Sequence, residues 1–444
     1  VRTRRNELLF VGLCSLLSLV TFTACQKSTV TDPIATAKKN KPAIPNAGPA
    51  KDDAAAVEAL AKAGYLFKKN SAGSVTEFSI ASQSDISDSL VHLAGLPNVQ
   101  SAIFTGPGIS DKGMGAIASL TTLKRLDLTD SAIGSETLKA AGKLPKLEAL
   151  MLRRTPVTDS DLTAISSLPK LRAIDVRNTN ISDAGMKHLA PIKTLVDVQL
   201  EKSKVTDVGL ADLKALPLTS LNVNYCTAIG DASMRIIGEM KTLKSIQMDA
   251  TKLTDKGMAS ISGLTNLTRL RIRDTDVTGE GIKHIRNLKK LNRLELRGTS
   301  LDDDGLAIIA SLPAVTYLDM AECRIASPEG MKKLAALNDL IYLGFWETKL
   351  NDDAMQSLAG LTKLQELDLK ATSITDASVP SLLKFAELKN LNLSGTQISD
   401  EGLLQLAKLP KLASLNVSNI QIGYDLIDQL KEAKPELNVV EYEE

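Results

Sequence analysis

The chain has few residues suited to catalysis or metal binding, and their spacing keeps them apart. Of its three histidines, His188 and His284 occupy the same place in two near-copies of one phrase, "MKHLA" and "IKHIR", and His92 stands far upstream. All three read as helix-surface residues. Cys226 and Cys323 also fall at equivalent places in distant copies of a phrase, too far apart for a disulfide and without a neighbouring base to activate either thiol. The carboxylates of "LDDDG" (Asp302, Asp303 and Asp304) invite a calcium or acid–base reading. The same slot recurs as Asp159, Asp183, Asp207, Asp255, Asp352, Asp376 and Asp400, which argues for a structural role. The sequence has no phosphate-binding Gly-rich loop, serine elbow or histidine metal motif. No catalytic residue, metal or cofactor is expected. What does gather is a set of cations and rings: Arg269, Arg271, Arg273, Arg293 and Arg297, with Arg153 and Arg177 farther off, and Tyr317, Tyr342 and the single Trp346 just beyond. Guanidinium groups beside rigid aromatics are the composition of a protein-interface hot spot, and the rings could equally stack on sugars. In the opposing reading, Glu295, Asp274 and Asp319 neutralise the arginines and the rings only cover surface.

The elements that must position these residues come from a repeat. An Ile, Val or Leu preceding a Thr/Ser–Asp phrase falls at 86, 109, 133, 157, 181, 205, 229, 253, 277, 301, 325, 350, 374, 398 and 422, almost always 24 residues apart. The unit reads L-x-x-L-x-L-x-x-T-x-[I/V/L]-[T/S]-D-x-G-[L/M]-x-x-L. Alternation such as Leu294, Leu296 has the period of a short strand. The following "DDGLAIIASL" changes to helical spacing, with Leu306, Ile309 and Leu312 on one stripe. One strand and one helix per unit predict an α/β leucine-rich repeat solenoid of about fifteen units over residues 75–442. Helix N-caps are expected at Asp159, Asp183, Asp207, Asp255, Asp303, Asp376 and Asp400, with Ser327 in the slot of Asp303 and Pro328 at the first helical position. The Thr or Cys column (Thr155, Thr179, Cys226, Thr251, Thr275, Thr299, Cys323, Thr348, Thr372, Thr396) sits where strand turns to helix and is expected to hydrogen-bond within that turn.

No unit buries its own apolar face, so the ends need covers. A capping helix and turn over residues 52–74, beginning at Asp52 or Asp53, serve one end; the other carries acidic residues up to a tail at 443–444. An extra residue between Ile325 and Leu350 either bends the array or is absorbed in a loop. Lys and Arg (53) nearly cancel Asp and Glu (52), giving a net charge of +1, and acids are interspersed among the arginines. A nucleic-acid track is therefore not expected.

Residues 1–24 have the charged, apolar and small-residue order of a signal peptide: Arg2, Arg4 and Arg5, then an apolar run from Leu8 to Phe22. Residues 25–51, rich in Pro and Lys, read as a flexible tether. "FTAC" resembles the lipobox of bacterial lipoproteins, with Phe22 in place of the usual Leu, Val or Ile. That resemblance implies lipidation of Cys25 and a membrane-anchored envelope protein of the outer membrane or periplasm; ordinary secretion and an uncleaved anchor are the alternatives. The "ITDxGL" phrasing resembles planctomycete-type bacterial leucine-rich repeat proteins and the repeat domains of F-box proteins. That resemblance identifies architecture; the missing catalytic residues and the Arg and aromatic patch predict a non-enzymatic, monomeric module binding a protein partner, with cell-wall polysaccharide binding or a structural envelope role as alternatives.

Overall fold

A computed structural model describes residues 50–323 and 327–442, which belong to one compact unit, Pro49–Glu444. Cys25, the signal and nearly all of the tether lie outside the described residues. Each repeat contributes a strand of three residues whose central side chain points inward. Leu270 is one example, and its neighbours Ile246 and Leu294 lie directly beside it in parallel register. Stacking of such units gives seventeen described strands, each hydrogen-bonded to its sequence neighbours, parallel from Val75–Ala81 onward. An antiparallel hairpin, Leu66–Lys69 with Val75–Ala81, precedes them. A helix, Ala54–Lys62, capped by Asp53, lies over the first units, and Asp52 accepts from the Val75 N–H (2.6 Å). The sequence pattern did not separate the short strand Leu66–Lys69, whose side chains are mostly exposed and carry no apolar alternation. Apolar side chains from Leu60 to Leu437 form one continuous core between sheet and helices.

The return segments are one or two turns long, some α-helical as in Asp303–Ala310 and some 3₁₀ as in Asp159–Ile165. Between strand and helix each turn uses a left-handed residue. Eleven of these are not glycine, among them Arg154, Asn178, Ala250 and Ala371, while Gly298 and Gly395 fill the same place in other units. The threonine column closes these turns. The hydroxyls of Thr155, Thr179, Thr251, Thr275, Thr299, Thr348, Thr372 and Thr396 each donate to the carbonyl three residues earlier.

The helix caps lie one residue earlier than the sequence pattern places them. Ser182, Thr206, Thr254, Thr375 and Ser399 have extended backbone and accept from the N–H of the first helical turn. Thr158 and Asp302 also hold the cap position. Asp159, Asp183, Asp207, Asp255, Asp303, Asp376 and Asp400 are instead the first helical residues. Their carboxylates serve the next unit. Asp183 accepts from the Thr206 N–H (2.8 Å), the Thr206 hydroxyl (2.7 Å) and the Gly209 N–H (3.0 Å). Asp255 does the same for Thr278 and Gly281. Asp159, Asp303, Asp376 and Asp400 reach Ser182, Ser327, Ser399 and Gly423. Asp207, followed by Gly230 at the next cap, makes no such bond among the described residues. The physical reason is reach: a short hydroxyl at the cap satisfies its own helix, leaving two carboxylate oxygens to the adjacent helix start. The glycine of "TDxG" follows from this, since a Cβ on Gly209 would lie 2.5 Å from the Asp183 Oδ1.

Ser327 is itself a cap, accepting from the Gly330 N–H (2.9 Å), with Pro328 in the first turn. It matches Asp302 rather than Asp303, which puts the extra residue between Cys323 and Ser327. Tyr317 and Tyr342 still pair in register, so the sheet absorbs no shift.

Candidate functional site

On the strand face, each unit presents the two residues flanking its inward side chain and a third just past the strand. The middle position is set by backbone chemistry. Asp127, Asp175, Asn222, Asp319, Asp368, Asn392 and Asn416 each accept from the N–H two residues on, fixing the exit from the strand. Recurrence of Asp and Asn in that column is therefore structural first.

The strands Arg269–Arg271 and Arg293–Glu295 bring the arginine cluster together. Two buried carboxylates organise it. Asp249, with no exposed surface, accepts from Arg271 (Nε, 2.6 Å) and Arg273 (Nε, 2.8 Å). Glu295 accepts from Arg269 (Nε, 3.0 Å) and Arg293 (Nε, 2.6 Å), and Arg297 pairs with Glu322 (2.6 Å). Glu295 neutralises the arginines as the opposing reading expected. Asp274 and Asp319 do not pair with them, and Asp249 and Glu322 take that part. Five guanidinium groups thus share three carboxylates, and Asp274 and Asp319 nearby bring the block close to neutrality. Burial pushes Asp249 up despite Arg273, and pushes up Asp274 and Asp319 as well.

Farther along the face, Arg177 is held by Asp175 through a bidentate contact (2.7 and 2.9 Å). Arg153 has no acidic partner among the described residues, and its Nε is buried without a hydrogen bond. Burial, then Arg154 and Arg177, press on its charge. It does not join the main cluster.

The aromatic residues form two groups, the Tyr317–Tyr342 stack and, farther along the strand direction, Trp346. Tyr317 and Tyr342, side by side on adjacent strands, stack with centroids 4.0 Å apart and planes 5° from parallel. Arg293 lies 3.7 Å from the centre of the Tyr317 ring. Arg297 reaches across the small Ala321 to sit 4.2 Å from the Trp346 ring, and Lys370 approaches at 5.3 Å from the following strand. Gly344 leaves room for the Tyr342 ring, whose hydroxyl would stand 2.9 Å from any Cβ there. Burial pushes the phenols of Tyr317 and Tyr342 up, so both remain protonated donors at neutral pH. The Trp346 Nε1 is buried and has no partner among the described residues. The repeat pattern could not show the parts of Asp249 and Lys370, because side chains two strands apart also touch, as Arg297 and Trp346 do.

Among the described residues no group of three or more His, Cys, Asp or Glu is placed to hold a metal ion. His188 lies near the Thr163 hydroxyl (3.4 Å) on the helix side. Cys226 and Cys323 are buried, and burial pushes both thiols up. No described helix is long and apolar enough to cross a membrane.

Comparison with known proteins agrees with this architecture. A family model described as leucine-rich repeat region matches residues 107–327, and a second, described as Leucine Rich repeat, matches 388–407. No curated protein matches the chain. A leucine-rich repeat protein of Leptospira interrogans is 17% identical, with 78% of this chain and 91% of that one covered and a TM-score of 0.54. The repeat ectodomain of the Arabidopsis receptor kinase HAESA, solved with an extended IDA peptide hormone, is 15% identical over 88% of this chain and 73% of that one, with a TM-score of 0.53. An internalin of Listeria monocytogenes is 20% identical over 82% and 94%, with a TM-score of 0.49. At these identities the likeness to the Leptospira and HAESA structures is one of fold.

Proposed function

Starting from a chain that is a leucine-rich repeat protein, we propose that it is a non-enzymatic binding module whose strand face docks a protein partner across Tyr317, Tyr342, Trp346 and Arg297. The observation that carries this reading is the pair of cation-held aromatic groups, Arg293–Tyr317–Tyr342 and Arg297–Trp346. Three aromatic side chains are held by stacking and by guanidinium contacts before any ligand arrives, so docking on them costs little side-chain entropy. The HAESA ectodomain, of the same fold, carries a peptide ligand. In this reading Arg269, Arg271, Arg273 and Arg293 are framework, because Asp249 and Glu295 already engage them.

The partner is sought by capture from a native envelope extract with the full chain, compared with Trp346→Ala. A protein retained by the parent and reduced at least tenfold by Trp346→Ala is expected. Equal retention by both sinks the strand-face reading. Arg273→Ala is a poor probe, since it strips one partner from buried Asp249 and costs about 2 kcal/mol of stability.

The proposed location is the cell envelope, with a lipid on Cys25 as anchor. Metabolic labelling with radioactive palmitate tests it: label is expected in the parent and absent in Cys25→Ser. An unlabelled parent removes the anchor from the reading.

A further inference from the structure

The strand face carries a second feature just beyond the Tyr317–Tyr342 stack. A depression of about 250 Å³ opens beside Tyr342, lined by Glu366, Asp368, Asn390, Asn392, Ser414 and Asn416. These come from the next three strands, in register: Glu366 beside Tyr342, Asn390 beside Glu366, and Ser414 beside Asn390. Tyr317 covers one face of the Tyr342 ring and is itself covered by Arg293 on the far side. The other face of Tyr342 has no ring or cation contact among the described residues, and Tyr342 borders the depression.

Leu367, Leu391 and Val440 also border the depression, and the rest of its lining is polar. The side chains of Glu366 and Asn390 are exposed and have no hydrogen-bond partner among the described residues. The Asn392 Oδ1 accepts from the Ser394 N–H, and the structure gives its Nδ2 no described partner. Among the described residues no cation lines the depression.

We propose that this depression is a binding site for a neutral sugar ring. A pyranose has an apolar face of C–H groups that packs on an aromatic ring, and a rim of adjacent hydroxyls, each both donor and acceptor. Tyr342 offers the ring face. The Glu366 carboxylate and the Asn390 amide offer an acceptor and donors one strand spacing apart, about 4.8 Å, and Asn392 adds an amide farther along the strand of Asn390, a spread that suits hydroxyls distributed around one ring. Glu366 and Asp368 disfavour a uronic acid by like-charge repulsion. The site shares Tyr342 with the proposed partner surface but does not include Trp346, and Asn390 belongs to this site alone.

Saturation-transfer NMR with the full chain tests it, using cellotetraose, laminaritetraose, chitotetraose and tetragalacturonate as probes. At least one neutral tetrasaccharide is expected to receive saturation, undiminished in 0.5 M salt, and tetragalacturonate none. Asn390→Ala, an exposed change that leaves the fold alone, should weaken binding at least tenfold. Tyr342→Phe should preserve binding and Tyr342→Ala abolish it, with melting curves checking that each variant is folded. Absence of saturation in all three neutral probes overturns the proposal, as does binding unchanged by Asn390→Ala. A protein captured through Trp346 while no sugar binds would leave the partner reading standing and remove only this one.

Discussion

Asp319 is a buried carboxylate whose hydrogen-bonding task elsewhere in the same column is done by an amide. Its Oδ1 accepts from the Ala321 N–H (3.1 Å), as Asn222, Asn392 and Asn416 accept in their units. Burial raises its pKa; the Ala321 hydrogen bond, Arg273 and Arg297 oppose that shift, and Glu295 adds to it. A carboxylate raised in the folded state binds its proton more tightly than in the unfolded chain. Its stabilising contribution is thus present at low pH and lost as pH climbs from the ordinary carboxylate range through the raised value. Asp249 and Asp274 act in the same direction, again because of burial. Asp352 is the opposite case. Burial alone would raise it, but hydrogen bonds from Ser378 and Thr375 outweigh burial, so its contribution is present above the ordinary range and lost in acid. Asp319→Asn keeps the acceptor and removes the charge. It should stabilise the protein at pH 7 by on the order of 1 kcal/mol, with the gain shrinking toward pH 4 in urea unfolding. A loss of stability at pH 7 would mean that the charge is held by Arg273 and Arg297 more firmly than burial opposes it.

At the scale of the element, the phrase "TDxG" is one device spread over two units. Threonine caps its own helix, aspartate ties the start of the next, and glycine clears space for the carboxylate of the unit before. Asp183→Ala removes three accepted hydrogen bonds at once and should cost about 2–3 kcal/mol. Gly209→Ala alone sets a Cβ 2.5 Å from the Asp183 Oδ1 and should be similarly damaging. Combined, the two losses should fall short of their sum, because the oxygen that obstructs the new methyl has gone with Asp183. Strict additivity in a double-mutant cycle would show that the two residues do not share one contact.

At the scale of the molecule, stability is a chain of such neighbour contacts, since each unit packs chiefly on the units beside it. Cys226 and Cys323 report on this from within. Each is buried and donates to a carbonyl of the preceding unit, Leu200 and Leu296 respectively (3.2 Å in both cases). In a Cys14→Ser, Cys25→Ser background, both thiols should be inert to a thiol reagent in the native state. With Asp183→Ala added, Cys226, close to the broken tie, should become reactive at lower urea than Cys323. Equal shifts for both would indicate that the array opens as a single cooperative body.

The period of 24 residues, the inward leucines and the threonine column were sufficient to specify the stacked strand-and-helix architecture, because those features repeat and any one unit reads like the rest. The ring and arginine positions were legible as neighbours on adjacent strands for the same reason. Tertiary structure decided what repetition hides. Which carboxylate meets which guanidinium depends on side chains reaching two strands away, as Arg297 does across Ala321 toward Trp346. The target of each aspartate depends on the stacking of helix starts, which moved the cap to the preceding residue. Which face of Tyr342 meets another ring depends on what lies on both sides of it, a property of three strands at once that no single unit of sequence contains.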